Sequence, residues 1–243
     1  MTDLTDRQRK LLRSIVERYI DTAEPVGSES IEKIAGLGVS PATIRNEMAT
    51  LTKVGYLVQP HTSAGRIPTS QAIKLYINQL MEEKNLSVRD EVSIKESLWD
   101  QRFEYDKLMR QATRALAEQT NTLALATSAT GDVYAAGMSN ILDKPEFYDI
   151  DLTKAVLGLI DRYELLNDVF GRTYGDEVVH VVFGDELALS EFIPCGFAFT
   201  KYSSGNGREG YIGVVGPCRL PYQTVIPTLR YFGSLLNEVS RNW

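Results

Sequence analysis

The sequence predicts an α+β protein with an N-terminal winged helix-turn-helix. Three observations predict it. Apolar residues recur at helical spacing in three consecutive segments before residue 54. Two short extended runs then flank a polar loop, "PHTSAGRIPT" (60–69). From Asn121 onward, strand-like runs alternate with two helical stretches. Periodicity of this kind is the primary guide to local structure. At 243 residues the chain has room for one large domain or two ordinary ones.

The first helix starts at Thr5 or Asp6, either of which can cap it, and carries Leu11, Leu12, Ile15, Val16, Tyr19 and Ile20 at three- and four-residue steps. "AEPVGS" (23–28) breaks it with Pro25 and Gly27. Ser28 is expected to cap a short second helix with Ile31, Ile34 and Ala35 inward. "GLGV" (36–39) turns the chain. Ser40 followed by Pro41 is the start pattern of a third helix, which ends at Gly55, a suitable left-handed residue. "YLVQ" (56–59) reads as a short strand, with a brief return at Ile67. Thr69 caps a fourth helix with Ile73, Tyr76, Ile77, Leu80 and Met81 on one side. Helix, helix, turn, helix, hairpin is the winged-helix order.

"NLSVRDE" (85–91) marks a boundary. Domains are expected at 1–84 and 121–243, with 85–120 as a helical linker or dimerisation region. In that region Leu98, Trp99, Leu108, Met109, Ala112, Ala115 and Leu116 are candidates for a buried stripe, and Leu98, Trp99, Phe103 and Leu108 would offer apolar area to a second copy. "TLALAT", "DVYAA" (132–136) and "EVVHVVFG" (177–184) read as strands. "CGFAFTKY" (195–202), "SSGNGREG" (203–210) and "YIGVVGP" (211–217) read as a hairpin. Residues 151–170 and 222–240 read as helices.

On the third helix Ile44, Met48 and Leu51 face the core. Asn46 lies nearly opposite, with Ala42, Ala49 and Lys53 near it and Thr43 and Arg45 flanking. With Ser40 these are small or hydrogen-bonding groups and one fixed cation, as a major groove requires. A plain solvated face has the same general character. His61, Thr62, Ser63 and Arg66 in the loop offer donors to phosphate without a nearby acid, and Gly65 permits close approach; an ordinary exposed turn is the alternative. Charge agrees with nucleic-acid binding by the head. Residues 1–81 hold ten basic and eight acidic residues, the remainder sixteen and twenty-four, within a net charge of −6.

The same sequence argues against other classes. No run approaches the roughly 20 apolar residues of a membrane span, and the polar start is not a signal peptide. Cys195 and Cys218 are expected as reduced thiols of a cytoplasmic protein, a bridge between them being the alternative. HExxH, CxxC, GxSxG and P-loop patterns are absent, and the two histidines, His61 and His180, form no metal pattern. "GNGREG" (205–210) fits G-x-G-x-x-G but precedes a strand, so it reads as a turn. No enzyme, metal or cofactor is expected. Tyr202, Arg208, Tyr211 and Arg219 would line a pocket or decorate its rim.

"EPVGSESI", "VSPATIRNEMATLTKVGYLVQPHTSAGRIPT" and "YINQLM" closely resemble the N-terminal domain of the HrcA family of heat-inducible transcription repressors. "PEFYD" and "GYIGVVGPCRLPYQTVIPTLRYF" resemble that family's GAF-like domain. The resemblance implies a winged helix-turn-helix followed by a reduced GAF-like α+β domain. It also implies a homodimer on an inverted-repeat operator in double-stranded DNA upstream of chaperone operons, and regulation by the GroE chaperonin. The chain departs from the family in three ways. Ala23 stands where Gly is usual, "SQAIKLY" replaces the usual run after the wing, and the chain is shorter, with the loss expected between Gln119 and Pro145, where the family carries the early strands of its GAF-like domain and an inserted dimerising segment. Two rivals remain: a metabolite-sensing regulator with its ligand in the GAF-like domain, and a winged helix used only for protein assembly.

Overall fold

A computed structural model describes residues 4–172, 177–187, 189–203 and 209–239. The chain divides into two compact units, Met1–Glu82 and Glu83–Trp243.

The first unit runs α1 (Asp6–Thr22), α2 (Ser28–Ala35), α3 (Pro41–Lys53), β1 (Leu57–Val58), β2 (Ile67–Pro68) and α4 (Ser70–Leu75), which continues as a π-helical turn over Tyr76–Leu80. Local chemistry sets most of the boundaries. Thr5 and Gln8 form a reciprocal capping box at the start of α1. Ser40 caps α3 with Pro41 in its first turn, and Thr69 caps α4. Gly55, at φ +85°, takes the left-handed turn after α3. The core is Leu11, Leu12, Ile15 and Val16 of α1, Ile31 of α2, Ile44, Met48 and Leu51 of α3, and Tyr56, Leu57, Ile73 and Tyr76.

Several local expectations change. Gly27, not Ser28, is the N-cap of α2, and Ser28 is its first, buried residue. Ile34 is 56% exposed, because the short helix buries only the stripe through Ser28 and Ile31. The first strand contracts to two residues. Residue 26 joins the ribbon instead: Val26 pairs with Arg66 in an antiparallel bridge, its N–H donating to the Arg66 carbonyl and its carbonyl accepting from the Arg66 N–H, both at 2.9 Å.

The second unit runs α5 (Val88–Trp99), α6 (Tyr105–Thr120), β3 (Leu123–Ser128), β4 (Val133–Ala136), α7 (Met138–Leu142), α8 (Ile150–Leu157), α9 (Tyr163–Gly171), β5 (Val179–Phe183), β6 (Cys195–Ser203), β7 (Glu209–Pro217) and α10 (Tyr222–Val239). Its antiparallel sheet has the order β4-β3-β7-β6-β5. Alternate residues feed two layers. Leu123, Leu125, Phe197, Phe199 and Val215 join Ile141, Leu152, Val156, Leu166 and Phe170 in one core. On the opposite side Tyr202 meets α6, where the Tyr105 hydroxyl donates to the Tyr202 hydroxyl at 2.7 Å and the latter donates to the Thr127 carbonyl at 2.9 Å. β6 is therefore buried on both faces, except at Lys201 and Ser203.

Residues 85–120 lie in this unit. Leu98 and Leu108 are buried and present nothing outward, whereas Trp99 and Phe103 are 42% and 78% exposed. β3 and β4 occupy 123–136, where "TLALAT" and "DVYAA" read as strands. The two cysteines are unbridged, and burial pushes the Cys195 thiol up to about 12. Tyr202 is core, and Arg219 forms a two-pronged ion pair with Glu146 at 2.6 and 2.9 Å. That pair joins "PEFYD" to "GPCRLP", two stretches far apart in sequence. Arg208 and most of "GNGREG" lie outside the described residues. His180 sits in β5 with its ring 5.7 Å from that of Phe199.

Candidate nucleic-acid interface

The site is built on α3. Ile44, Met48 and Leu51 anchor its inner face, which leaves Ala42, Arg45, Asn46, Ala49, Thr50 and Lys53 exposed. Its one carboxylate, Glu47, is taken out of play. It accepts from Arg7 and from the Gln8 side chain at 2.9 Å. The Arg7 guanidinium holds that carboxyl below the usual glutamate range. The exposed face therefore carries two cations and one amide group, and no unpaired carboxylate of α3 itself competes with them.

A cleft of about 420 Å³ lies between α3 and the wing. It brings together Ser28, Arg45, Thr62, Ser63 and Arg66, along with Met48, Gln59 and Gly65. Ser40, Ala42, Thr43, Asn46 and His61 lie outside its lining. Ser40 and Thr43 are turned to each other: the Ser40 hydroxyl accepts from the Thr43 N–H at 3.3 Å, and the two hydroxyls are 3.1 Å apart. His61 and Ser63 stand exposed at the wing tip. One acid, Glu29, also lines the cleft, which the loop sequence alone did not reveal.

The wing owes its shape to residues that sequence reading passed over. The Gln59 amide donates to the carbonyls of Thr62 and Ala64 at 2.9 and 3.0 Å, replacing the backbone ladder that a longer strand would supply. Gly65 must be glycine, since a Cβ there would lie 2.5 Å from the carbonyl carbon and oxygen of Val26. Arg66 is half-buried and its Nε donates to the Thr52 hydroxyl at 3.1 Å. Arg66 is thus a brace between wing and α3 as well as a cation. Gln59 and Thr52 are unremarkable in sequence; only long-range pairing gives them roles.

A helix-turn-helix with its third helix exposed beside a braced, cation-bearing hairpin defines a winged-helix DNA-binding protein. Residues 3–82 match the family profile described as "Winged helix-turn-helix transcription repressor, HrcA DNA-binding". Residues 46–226 match "HrcA protein C terminal domain". The chain belongs to the HrcA family. Similar curated proteins include the heat-inducible transcription repressor HrcA of Symbiobacterium thermophilum, 28% identical with 98% of this chain and 99% of that one covered. Another is the protein of that name from Pelotomaculum thermopropionicum, 28% identical with 97% of each covered. The first alignment spans 338 positions against 243 residues here, so the relative carries residues without a counterpart in this chain. Among solved structures, the crystal structure of a hypothetical protein at 2.2 Å resolution superposes with a TM-score of 0.78 at 19% identity, covering 99% of both chains. That likeness shows the shared fold. Among the described residues, no helix is long and apolar enough to cross a membrane.

Proposed function

We propose that this chain is a sequence-specific repressor of heat-shock chaperone operons, acting in the cytoplasm as a homodimer on an inverted-repeat operator. The observation that carries the reading is the α3–wing cleft, where Arg45 and Arg66 stand with hydroxyl groups beside a helix whose own acid is neutralised. Arg45 and Asn46 read base edges, arginine suiting guanine and asparagine adenine, while Ala42 lets the helix sit deep. Ser28, Ser40, Thr43, His61, Thr62, Ser63 and Arg66 fix the register on phosphates and sugars. One short helix reads few base pairs, so two half-sites are needed for operator specificity. The names of the relatives support heat induction. On heating, the second unit loses the packing that keeps the dimer competent, repression falls, and GroE chaperonin restores the active form.

Binding-site selection from random duplexes tests the reading. The expected product is a palindrome bound with an affinity that falls steeply with salt as counterions are released. Random sequence after selection, or salt-independent binding, would remove it.

A further inference from the structure

We infer that α5 is a self-recognition surface through which a second copy of this chain docks antiparallel; this deepens the homodimer proposed above by naming its contact. Val88, Val92 and Trp99 recur at steps of four and seven and form one stripe along α5. They are 77%, 49% and 42% exposed. Phe103 extends the stripe, and the Arg102 guanidinium rests 4.9 and 4.2 Å from the ring centres of Trp99 and Phe103. One neighbouring side of α5 is already occupied. Ile94 and Leu98 are buried, Lys95 pairs with Glu238 at 2.8 Å, and the Tyr231 hydroxyl donates to the Glu91 carbonyl at 2.7 Å.

Charge selects the partner. Arg89 and Glu96 flank the stripe on one side, both exposed, and neither has an ion-pair partner among the described residues. Seven residues separate them, about 10 Å along the axis, which is too far to pair within one helix. An antiparallel two-fold pair with its axis between Val92 and Ser93 sets Arg89 against Glu96 of the partner subunit, and the reverse. The same axis brings the two copies of Val92 together. A surface that completes its own charges under a two-fold operation is the isologous kind. A single pair of helices covers less than a standard interface of roughly 1,600 Å². The free dimer is therefore expected to be weak, with dissociation in the micromolar range.

Sedimentation velocity on the full chain tests this. The wild type should show a reversible monomer–dimer equilibrium. Val92→Asp places two carboxylates at the axis and should weaken dimerisation by about tenfold or more. Arg89→Glu should weaken it, and Arg89→Glu with Glu96→Arg should restore it. Restoration distinguishes a contact from simple loss of folding. A wild type that stays monomeric at high protein concentration, a dimer indifferent to Val92→Asp, or a charge swap without rescue would each overturn the surface. The DNA reading is judged separately by binding of a duplex carrying one half-site. If Val92→Asp is monomeric yet binds that duplex, both stand; if the wild type dimerises through α5 but ignores the duplex, only the DNA reading falls.

Discussion

At the scale of single residues, Arg45 and Arg66 share a cleft but not a role. Arg45 is exposed on the outer face of α3, whereas Arg66 is held by Thr52. Arg45→Ala should cost about 1–3 kcal/mol on the selected operator and relax discrimination at one base position. Arg66→Ala should weaken binding to every duplex and lower the salt slope by about 1. Thr52→Val removes the brace and keeps the charge, so it should loosen specific binding while leaving the salt slope intact. Titrations of the three variants at several salt concentrations check this; equal, sequence-independent losses would show that Arg45 only contacts phosphate. Ala23 gives a second case. It ends α1 in the left-handed conformation, φ +60°, where a Cβ is unfavourable. Ala23→Gly relieves that strain but gives the unfolded chain more freedom, for a net gain of about 0.5–1 kcal/mol in chemical denaturation.

At the scale of elements, the sequence marks beginnings better than contacts. Thr5, Ser40 and Thr69 cap helices as their side chains dictate, because capping is settled within four residues. The outer face of α3 was legible for the same reason. The bridge of Val26 to Arg66, the Gln59 grip on the wing and the Arg219–Glu146 pair were not, since each joins residues distant or unrelated in pattern. The short α7 went unread because five residues carry too little periodicity.

Pro227 shows an element repaired from outside. It lies within α10 and has no N–H to donate to the Gln223 carbonyl. That carbonyl accepts instead from the Lys84 N–H at 2.8 Å, and Arg230 holds Glu83 in a two-pronged ion pair at 2.7 and 2.9 Å. Pro227→Ala supplies a competing helical N–H, so the Lys84 amide should exchange faster with solvent hydrogen; unchanged protection would refute the account. Glu47 gives the pH case for α1 and α3. Its folded pKa is depressed, so its contribution is present above the ordinary glutamate range and is lost as pH falls through the lowered value. Wild type should exceed Glu47→Gln in stability by about 0.5–1 kcal/mol near neutrality, a figure discounted because the Arg7 side chain is half exposed. Denaturation curves should converge in acid.

At the scale of the whole molecule, a chain of net charge −6 is proposed to seek out an anion. The head can do so because its charges differ from the total, at ten basic against eight acidic residues over 1–81, and because Glu47 is neutralised within it. Screening confines the repulsion of the remaining acids to about 10 Å at moderate salt. The weak dimer proposed above would gain operator affinity through linkage: once one head is bound, the other acts at a high effective concentration. The gain exists only where both half-sites face the same side of the duplex. Half-site centres are therefore expected near a whole number of turns apart, each turn being about 10 base pairs. Inserting about 5 base pairs rotates one half-site to the opposite side and should reduce affinity by tenfold or more, whereas inserting about 10 should restore much of it. Mobility shifts across a spacer series measure this directly. A smooth decline with no periodic recovery would mean that the two heads bind independently, and the dimer would then contribute nothing to recognition.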